Sequence, residues 1–382
     1  LGKEILILGA GFGGLSVAHT LRSGLGSDHK ITIVDKQPLF FMGLTKLWVL
    51  NGTRQVGDGP GNRTLLAKKG IDFIEGEVRS IDVAGKEVVV NKRKLRFDYL
   101  VIALGADYSP GSTPGFLKYA TNLYTESGCA EIRDKLRSVT SGIITILVCG
   151  LPFKCPPAPY ESSMIIDDIL RRKGVRENVR LQIVTPETQP LTILGAEAGM
   201  MVTRLLQERG IEYHPSERVK EIRSRSVLTE GGKEISHDLL FGVPTHVSPS
   251  VVREARLTDQ SGWIPVNART LATSYPQVYA IGDCAGPRTP KGQLIPRAGI
   301  LAEGQGKVVA ANLIHEIKGA TTREEFQGNG VCFMEVGGGR AAPVRASFYA
   351  EPNPTWESTP PSAEGLREKQ LFLEERMSAW FR

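Results

Sequence analysis

The sequence predicts an α/β protein: two parallel-sheet domains, the second inserted into the first, followed by a C-terminal segment. Three observations carry this. The chain has 382 residues, more than one domain of about 150 residues uses. Apolar runs at Lys3 to Leu8 and at Ile143 to Val148 each lead through a turn into a helical pattern, the alternation that parallel sheets require. Two further short apolar strands, near residues 100 and 280, read as parts of the first sheet separated by a long insertion. The expected division is 1–117 with 238–325 for the first domain, 118–237 for the inserted one, and 326–382 for the C-terminal segment with its terminal helix.

Composition excludes several classes. Hydrophobic residues at 41% and charged residues at 23% are ordinary for a globular chain and argue against fibrous or disordered structure. No apolar run reaches the roughly 18 residues of a spanning helix. The net charge is +6, but Lys and Arg are mixed with Asp and Glu, so no nucleic-acid stripe forms. Anionic cofactors, anionic substrates or an anionic lipid surface suit that charge. Five cysteines without C-x-x-C or a paired Cys/His spacing argue against a disulfide scaffold and against zinc, and leave individual redox roles open. Leu1 and Gly2 lead straight into the first strand, so a targeting segment is expected to be absent or removed. The expected location is cytoplasmic or peripheral to a membrane, or periplasmic if a leader was cleaved.

The first strand runs into Gly9-Ala10-Gly11-Phe12-Gly13-Gly14 and then a helix, and a second strand, Ile31 to Val34, ends on Asp35, 21 residues beyond Gly14. Strand, glycine turn, helix, strand and acid in that order form the dinucleotide-binding, Rossmann-like fingerprint. Gly9 permits the turn, Gly11 lets backbone approach a pyrophosphate, Gly14 lets helix and strand pack, and Asp35 accepts from a ribose hydroxyl. A strand from Asp98 ends in Gly105, and Val278-Tyr279-Ala280-Ile281-Gly282-Asp283 ends another in Gly-Asp. Inside the insertion, the turn after Ile143 to Val148 reads Cys149-Gly150-Leu151-Pro152-Phe153-Lys154-Cys155-Pro156-Pro157-Ala158-Pro159. Prolines lack N–H donors, so this turn predicts no phosphate cradle and disfavours NAD(P)H as donor. Ser224 to Ile235 reads as a hairpin, Ala302 to Leu313 as a helix, Val331 to Val336 as a strand, and Pro352 to Pro361 as a connector. The last helix, Leu366 to Arg382, is amphipathic through Leu366, Leu373, Met377, Trp380 and Phe381, which either dock on the protein's own core or form an interfacial surface.

These motifs resemble the two-dinucleotide-domain flavoproteins over about residues 1 to 315. That resemblance implies FAD at the first site, with Asp283 near the ribityl and phosphate region and Gly105 in the turn beside the cofactor. Lys36, Val78 and Gly282 complete the implied binding set. Lys154-Cys155-Pro156-Pro157-Ala158-Pro159-Tyr160-Glu161 looks like the segment of the sulfide:quinone oxidoreductases and of the flavoprotein subunit of sulfide-oxidising flavocytochrome c. The resemblance implies a redox pair of Cys155 with Cys332 and Glu161 as acid/base; Phe333 and Phe348 are candidates for an apolar quinone pocket. Beside Lys154 and a helix start, Cys155 is expected to have a lowered thiol pKa. Cys149 and Cys284 read as packing. Cys129, in a polar turn opening a helix, either caps that helix or matches a third cysteine of the quinone-reducing enzymes and joins the chemistry, including a covalent flavin link. The segment Pro38 to Trp48 holds no cysteine, unlike the flavocytochrome subunit. None of the six His lies near Cys155 in sequence. The implied reaction is FAD-dependent oxidation of sulfide or a related small sulfur nucleophile, with a quinone as acceptor. Cytochrome c as acceptor and a type II NADH:quinone oxidoreductase are the alternatives. A membrane surface and an oligomer are compatible with it, and nucleic acid is not.

Overall fold

The computed structural model describes residues 2–382. Its first sheet has five parallel strands in the order Val278–Ala280, Tyr99–Ile102, Glu4–Leu8, Lys30–Asp35, Asp72–Glu75. The second has the order Thr121–Asn122, Leu239–Val243, Gly142–Val148, Val179–Val184, Glu212–His214, again all parallel. The inner strands are apolar along their length because both faces are covered. Each sheet follows one plan: the strand that starts its βα unit lies centrally, its successor on one side, a late-arriving strand on the other. The turn leaving Glu4–Leu8 and the turn leaving Gly142–Val148 therefore both open on the crevice where such sheets bind ligands.

The insertion ends later than expected. Leu239–Val243, assigned from sequence to the returning first domain, lies inside the second sheet with Ile144 opposite Leu239. An apolar five-residue run carries no signal of which sheet it will join. The chain crosses back only afterwards, where His246–Val247 pairs antiparallel with Asp107–Tyr108. Three antiparallel strands, Val219–Ile222, Ser226–Thr229 and Glu234–Ser236, precede that crossing and include the expected hairpin.

Two helices cover one face of the first sheet. The motif helix, Phe12–Gly24, follows Gly9, whose φ of +98° suits only glycine and whose Cβ would stand 2.2 Å from the Ala103 carbonyl oxygen. A Cβ on Gly14 would stand 1.8 Å from the Gly9 oxygen. The long helix, Gly299–Ile317, lies against the motif helix, and Ser16 Oγ donates to the Glu303 carbonyl at 3.0 Å.

The C-terminal segment forms an antiparallel sheet of Asn329–Glu335, Ala341–Ser347 and Thr355–Ser358. The third strand lies in the stretch expected to be a connector; it is short and at the sheet edge, the position that flanking prolines permit. The terminal helix, Ala363–Phe381, starts at Ser362, whose Oγ accepts from the Gly365 N–H at 3.0 Å. Of its two readings, the docked one is realised. Phe372, Leu373, Trp380 and Phe381 lie in the main core, and Trp380 stands edge-on to Phe12 of the glycine turn at 5.4 Å and to Phe40 at 5.7 Å. These side chains are thus covered by the protein's own core. No helix among the described residues is long and apolar enough to cross a membrane.

Candidate active site

The glycine turn, Asp35, Gly105 and Asp283 end or follow adjacent parallel strands of the first sheet, so they share the groove that such sheets form at this edge. Asp35 Oδ2 accepts from the Ala10 N–H at 2.8 Å and lies 3.4 Å from Arg63 Nη2. Arg63, which sequence reasoning missed, is buried and clamps the turn: its Nε and Nη2 both donate to the Ala10 oxygen, at 3.0 and 2.8 Å, and its Nη1 to the oxygens of Gln37 and Leu39. Lys36 is exposed beside it. The Val78 side chain is packed in a core cluster with Ile81 and Val88, so it contributes no side-chain group to the groove. At the opposite end, the Arg297 guanidinium stacks 3.6 Å from the Trp263 ring centre, and its Nε donates to the Asp283 carbonyl. Burial raises the Asp283 carboxyl, against the lowering effect of Lys154 and Arg297.

The proline turn meets this groove from the insertion. Cys155 has a φ of +53°, rare for a residue with a Cβ. Its N–H donates to the Arg297 oxygen at 2.7 Å, and its carbonyl accepts from the Ala158 N–H at 2.9 Å, where the helix Ala158–Arg172 begins. The Cys149, Cys155 and Ala158 amides are thus occupied and Pro152, Pro156, Pro157 and Pro159 have none, so the turn is depleted of donors where its helix begins and a phosphate would be cradled.

Three of the expected residues come together here. The charge of Glu161, 2% exposed, raises both the Cys155 and the Cys332 thiol, whereas Lys369 lowers both. Cys332 stands opposite Val344 in the C-terminal sheet. It lines a cavity of about 430 Å³ together with Pro156, Pro157, Glu187, Arg297 and Phe348. Phe333 faces elsewhere: its ring packs on Phe372 at 5.7 Å, in the core.

The expectation of a lowered Cys155 pKa is overturned. Cys155 is an exposed residue, but many protein atoms surround its sulfur. That desolvation pushes the thiol up, and the negative charge of Glu161 and the Cys332 sulfur add to it. Cys332 is pushed up to about 12, by desolvation first and Glu161 second. Lys154 gives no relief to Cys155, because its ammonium turns away to the Ala106 carbonyl at 3.0 Å and sits over the Tyr108 ring. Cys129 is a second correction. It is fully buried in the helix Glu126–Ser138, its Sγ bonds the Leu123 carbonyl at 3.3 Å, and burial raises its thiol to about 12. Thr125 caps that helix, so Cys129, four residues on, turns inward and has neither access nor acidity for catalysis or a flavin link. Cys149 and Cys284 are also pushed up to about 12 by burial.

Sequence reasoning missed the groups beneath the cysteines. Lys369, on the terminal helix and 2% exposed, donates to Glu161 Oε1 at 2.9 Å and to Glu335 Oε2 at 3.0 Å. Glu161 Oε1 also accepts from the Glu335 N–H at 2.9 Å, and Trp48 Nε1 donates to Glu335. Two carboxylates share one ammonium, and burial raises Glu161 while that ammonium opposes the rise. The signal was available: Leu366, Lys369, Leu373, Met377 and Trp380 are spaced on one helical face. His246 was also missed. It stands edge-on to Tyr124 at 5.2 Å and to Tyr108 at 5.0 Å, and burial lowers it to about 3.

The family model for pyridine nucleotide-disulphide oxidoreductases matches residues 3–306. The chain belongs to this family. Among curated relatives of this oxidoreductase is the sulfide-quinone reductase of Aquifex aeolicus, 25% identical over 356 residues, covering 88% of this chain and 82% of that one. A type II NADH:quinone oxidoreductase of Staphylococcus aureus is 25% identical over 349 residues, covering 85% of each. The solved structure of the sulfide:quinone oxidoreductase from Aquifex aeolicus aligns with a TM-score of 0.87 at 24% identity, covering 98% of this chain and 90% of that one. Pyridine nucleotide-disulphide oxidoreductases of this kind bind FAD, and the groove fits it. Around Gly11 and Gly105 no atom lies within 4 Å of where a Cβ would be, leaving backbone open to a close-lying ligand. Arg297 Nη2 is buried with no protein partner at the Asp283 end. The glycine turn, Asp35 and Asp283 are the residues that would hold the cofactor.

Proposed function

We propose that this oxidoreductase uses FAD to oxidise sulfide, or a related small sulfur nucleophile, through Cys155 and Cys332, and passes the electrons to a quinone. The observation that carries the reading is that Cys332, far from Cys155 in sequence, lines one cavity with Pro156 and Pro157, the residues that follow Cys155, with the charge of the buried Glu161 acting on both thiols, at a turn that prolines deplete of phosphate-binding amides. The likeness to sulfide-quinone reductase supports it. The equal identity to an NADH:quinone enzyme does not favour a nicotinamide donor, because four prolines deplete the turn of the amides that donor needs.

Hydrosulfide attacks one sulfur of a Cys155–Cys332 disulfide. A bond to the substrate sulfur forms, the protein's S–S bond breaks, and one cysteine becomes a persulfide while the other leaves as a thiolate. The surroundings disfavour that thiolate, so it is driven onward to the persulfide. Re-forming a sulfur bridge between the two releases two electrons and the persulfide proton. Glu161 takes the proton: both of its hydrogen bonds fall on Oε1, which leaves Oε2 free. FAD, when bound, accepts the electron pair and hands it to the quinone. Lys369 and Glu335 hold Glu161 in place.

The test is capture of the sulfur intermediate. After anaerobic sulfide addition, alkylation and peptide mass analysis, the peptide carrying Cys155 or Cys332 is expected to hold one additional sulfur atom. Flavin bleaching by sulfide with no added sulfur on either peptide contradicts the mechanism.

A further inference from the structure

Cys155 keeps an unusual backbone, and one buried hydroxyl from a distant segment holds it there. The Tyr124 hydroxyl donates to the Lys154 carbonyl at 2.9 Å and, more weakly, to the Cys155 carbonyl at 3.4 Å. Tyr124 is itself fixed from every side. Its carbonyl accepts from Lys46 Nζ at 2.7 Å and from the Tyr108 hydroxyl at 3.1 Å, and its N–H donates to Asn122 Oδ1 at 2.9 Å. Its ring meets Tyr108 at 6.1 Å and His246 at 5.2 Å, both nearly perpendicular. His246 Nδ1 bonds the Pro244 carbonyl at 2.8 Å, and its Nε2 is buried without a partner, so it serves as a packing wall.

The need for such a holder follows from the turn. A left-handed φ is unfavourable for a residue with a Cβ and persists only where surrounding contacts over-determine it. Pro156 and Pro157, which follow Cys155, bring no N–H to help. The remaining contacts are the Cys155 N–H to Arg297, the Ala158 N–H to the Cys155 carbonyl, and the Tyr124 hydroxyl. The first two belong to segments on the groove and on the turn's own helix. Only Tyr124 ties the two carbonyls of Lys154 and Cys155 to the body of the insertion. The backbone twist at Cys155 sets where its Cβ and Sγ point, and disulfide geometry tolerates little error in that direction.

We propose that Tyr124 is a positioning residue for Cys155, its hydroxyl fixing the left-handed backbone that aims the sulfur at Cys332. This rests on the reading of Cys155 and Cys332 as a redox pair. The residue touches no reacting atom. Its effect is on the stability of the disulfide, in which two thiols lose two electrons and two protons and the bond between Cys155 and Cys332 forms.

The test equilibrates the FAD-loaded protein anaerobically with glutathione buffers. One oxidised glutathione is converted to two reduced ones for each protein disulfide formed, and the state of the pair is read by alkylation and mass analysis. In Tyr124→Phe the equilibrium constant for the disulfide is expected to fall about tenfold, which is a rise of about 30 mV in potential, with FAD content unchanged. In Tyr108→Phe, which keeps the ring beneath Lys154 and removes a hydroxyl that bonds the Tyr124 carbonyl and neither carbonyl of the turn, it is expected to stay within twofold. A Tyr124→Phe potential equal to wild type overturns the proposal, and so does an equal shift in Tyr108→Phe. If Tyr124→Phe does not hold FAD, 3-fluorotyrosine at position 124 replaces it. This stronger donor is expected to shift the potential the opposite way, and no shift overturns the proposal. Because the potential is measured without sulfide, a wild type inert to sulfide defeats the proposed substrate and leaves this test standing.

Discussion

The turn after Glu4–Leu8 and the turn after Gly142–Val148 hold the same place in two sheets of one plan, yet they are built from opposite materials. The first has glycines, free backbone and an acid, Asp35, at the end of the next strand, whose Oδ2 accepts from the turn itself. The second has prolines and a thiol. The acid near its next strand, Glu187, is turned inward, where its Oε2 accepts from the Tyr160 hydroxyl at 2.5 Å. A sheet plan therefore presents a crevice but does not choose its ligand. That choice lies in whether the turn offers amides, as a phosphate needs, or a positioned sulfur.

The comparison can be broken most forcefully beneath the second turn. Lys369→Met leaves Glu161 and Glu335 buried without their shared cation, and breaking a buried network of this kind costs about 3–5 kcal/mol. Denaturant unfolding at pH 7 is expected to show that loss. Glu161 is already raised by burial and loses the opposing ammonium, so in the variant the native state binds more protons and stability recovers as pH falls toward 5. A loss below 1 kcal/mol at pH 7 contradicts this account of the network.

A smaller effect compares the two turns directly. Alanine at Gly14 puts a Cβ 1.8 Å from a backbone oxygen, whereas alanine at Gly150 meets the Thr245 side chain at 3.0 Å, which can rotate away. Gly14→Ala is expected to cost about 3 kcal/mol and most of the bound flavin, and Gly150→Ala less than about 1 kcal/mol. Equal losses in melting temperature and flavin absorbance mean that the turns are not specialised as described.

A further effect, seen only as a change with pH, concerns the acid beside the second turn. Burial raises Glu187 to about 7, while the hydroxyls of Tyr160 and Thr185 oppose the rise. Between pH 4.5 and 7 the native state holds a proton that the unfolded chain has released, so this group's contribution is full below that window and lost as pH rises through it. Glu187→Gln removes that dependence. Its stability relative to wild type is expected to increase by up to about 3 kcal/mol from pH 4.5 to pH 8. A difference that stays flat with pH contradicts the inward, desolvated carboxyl.

What the sequence disclosed was local. The glycine turn, its helix and Asp35 form one contiguous unit, and the prolines around Cys155 announce their missing donors residue by residue. What it hid depends on chain return. Leu239–Val243 joins the second sheet through partners about a hundred residues earlier, and a short apolar run does not encode them. Lys369 lay in plain view on the apolar face of the terminal helix, but a lone lysine there reads as a side chain reaching for water. Its two carboxylates come from other segments. Cys129 misled for the reverse reason: the polar residues around it suggested exposure, yet the cap at Thr125 turns the fourth residue inward. Tyr124 reaches the turn at Cys155, and His246 reaches Tyr124, only through the pairing of the sheets.

The central claim is that the second crevice takes electrons from sulfur and not from a nicotinamide. Anaerobic stopped-flow of the FAD-loaded protein tests it most directly, with sulfide and NADH supplied separately to wild type, Cys155→Ser and Cys332→Ser. The account predicts that sulfide bleaches the wild-type flavin, that both variants retain the flavin but respond at least about a hundredfold more slowly, and that NADH bleaches none of them at a comparable rate. Fast bleaching by NADH, or unimpaired bleaching by sulfide in Cys332→Ser, contradicts it.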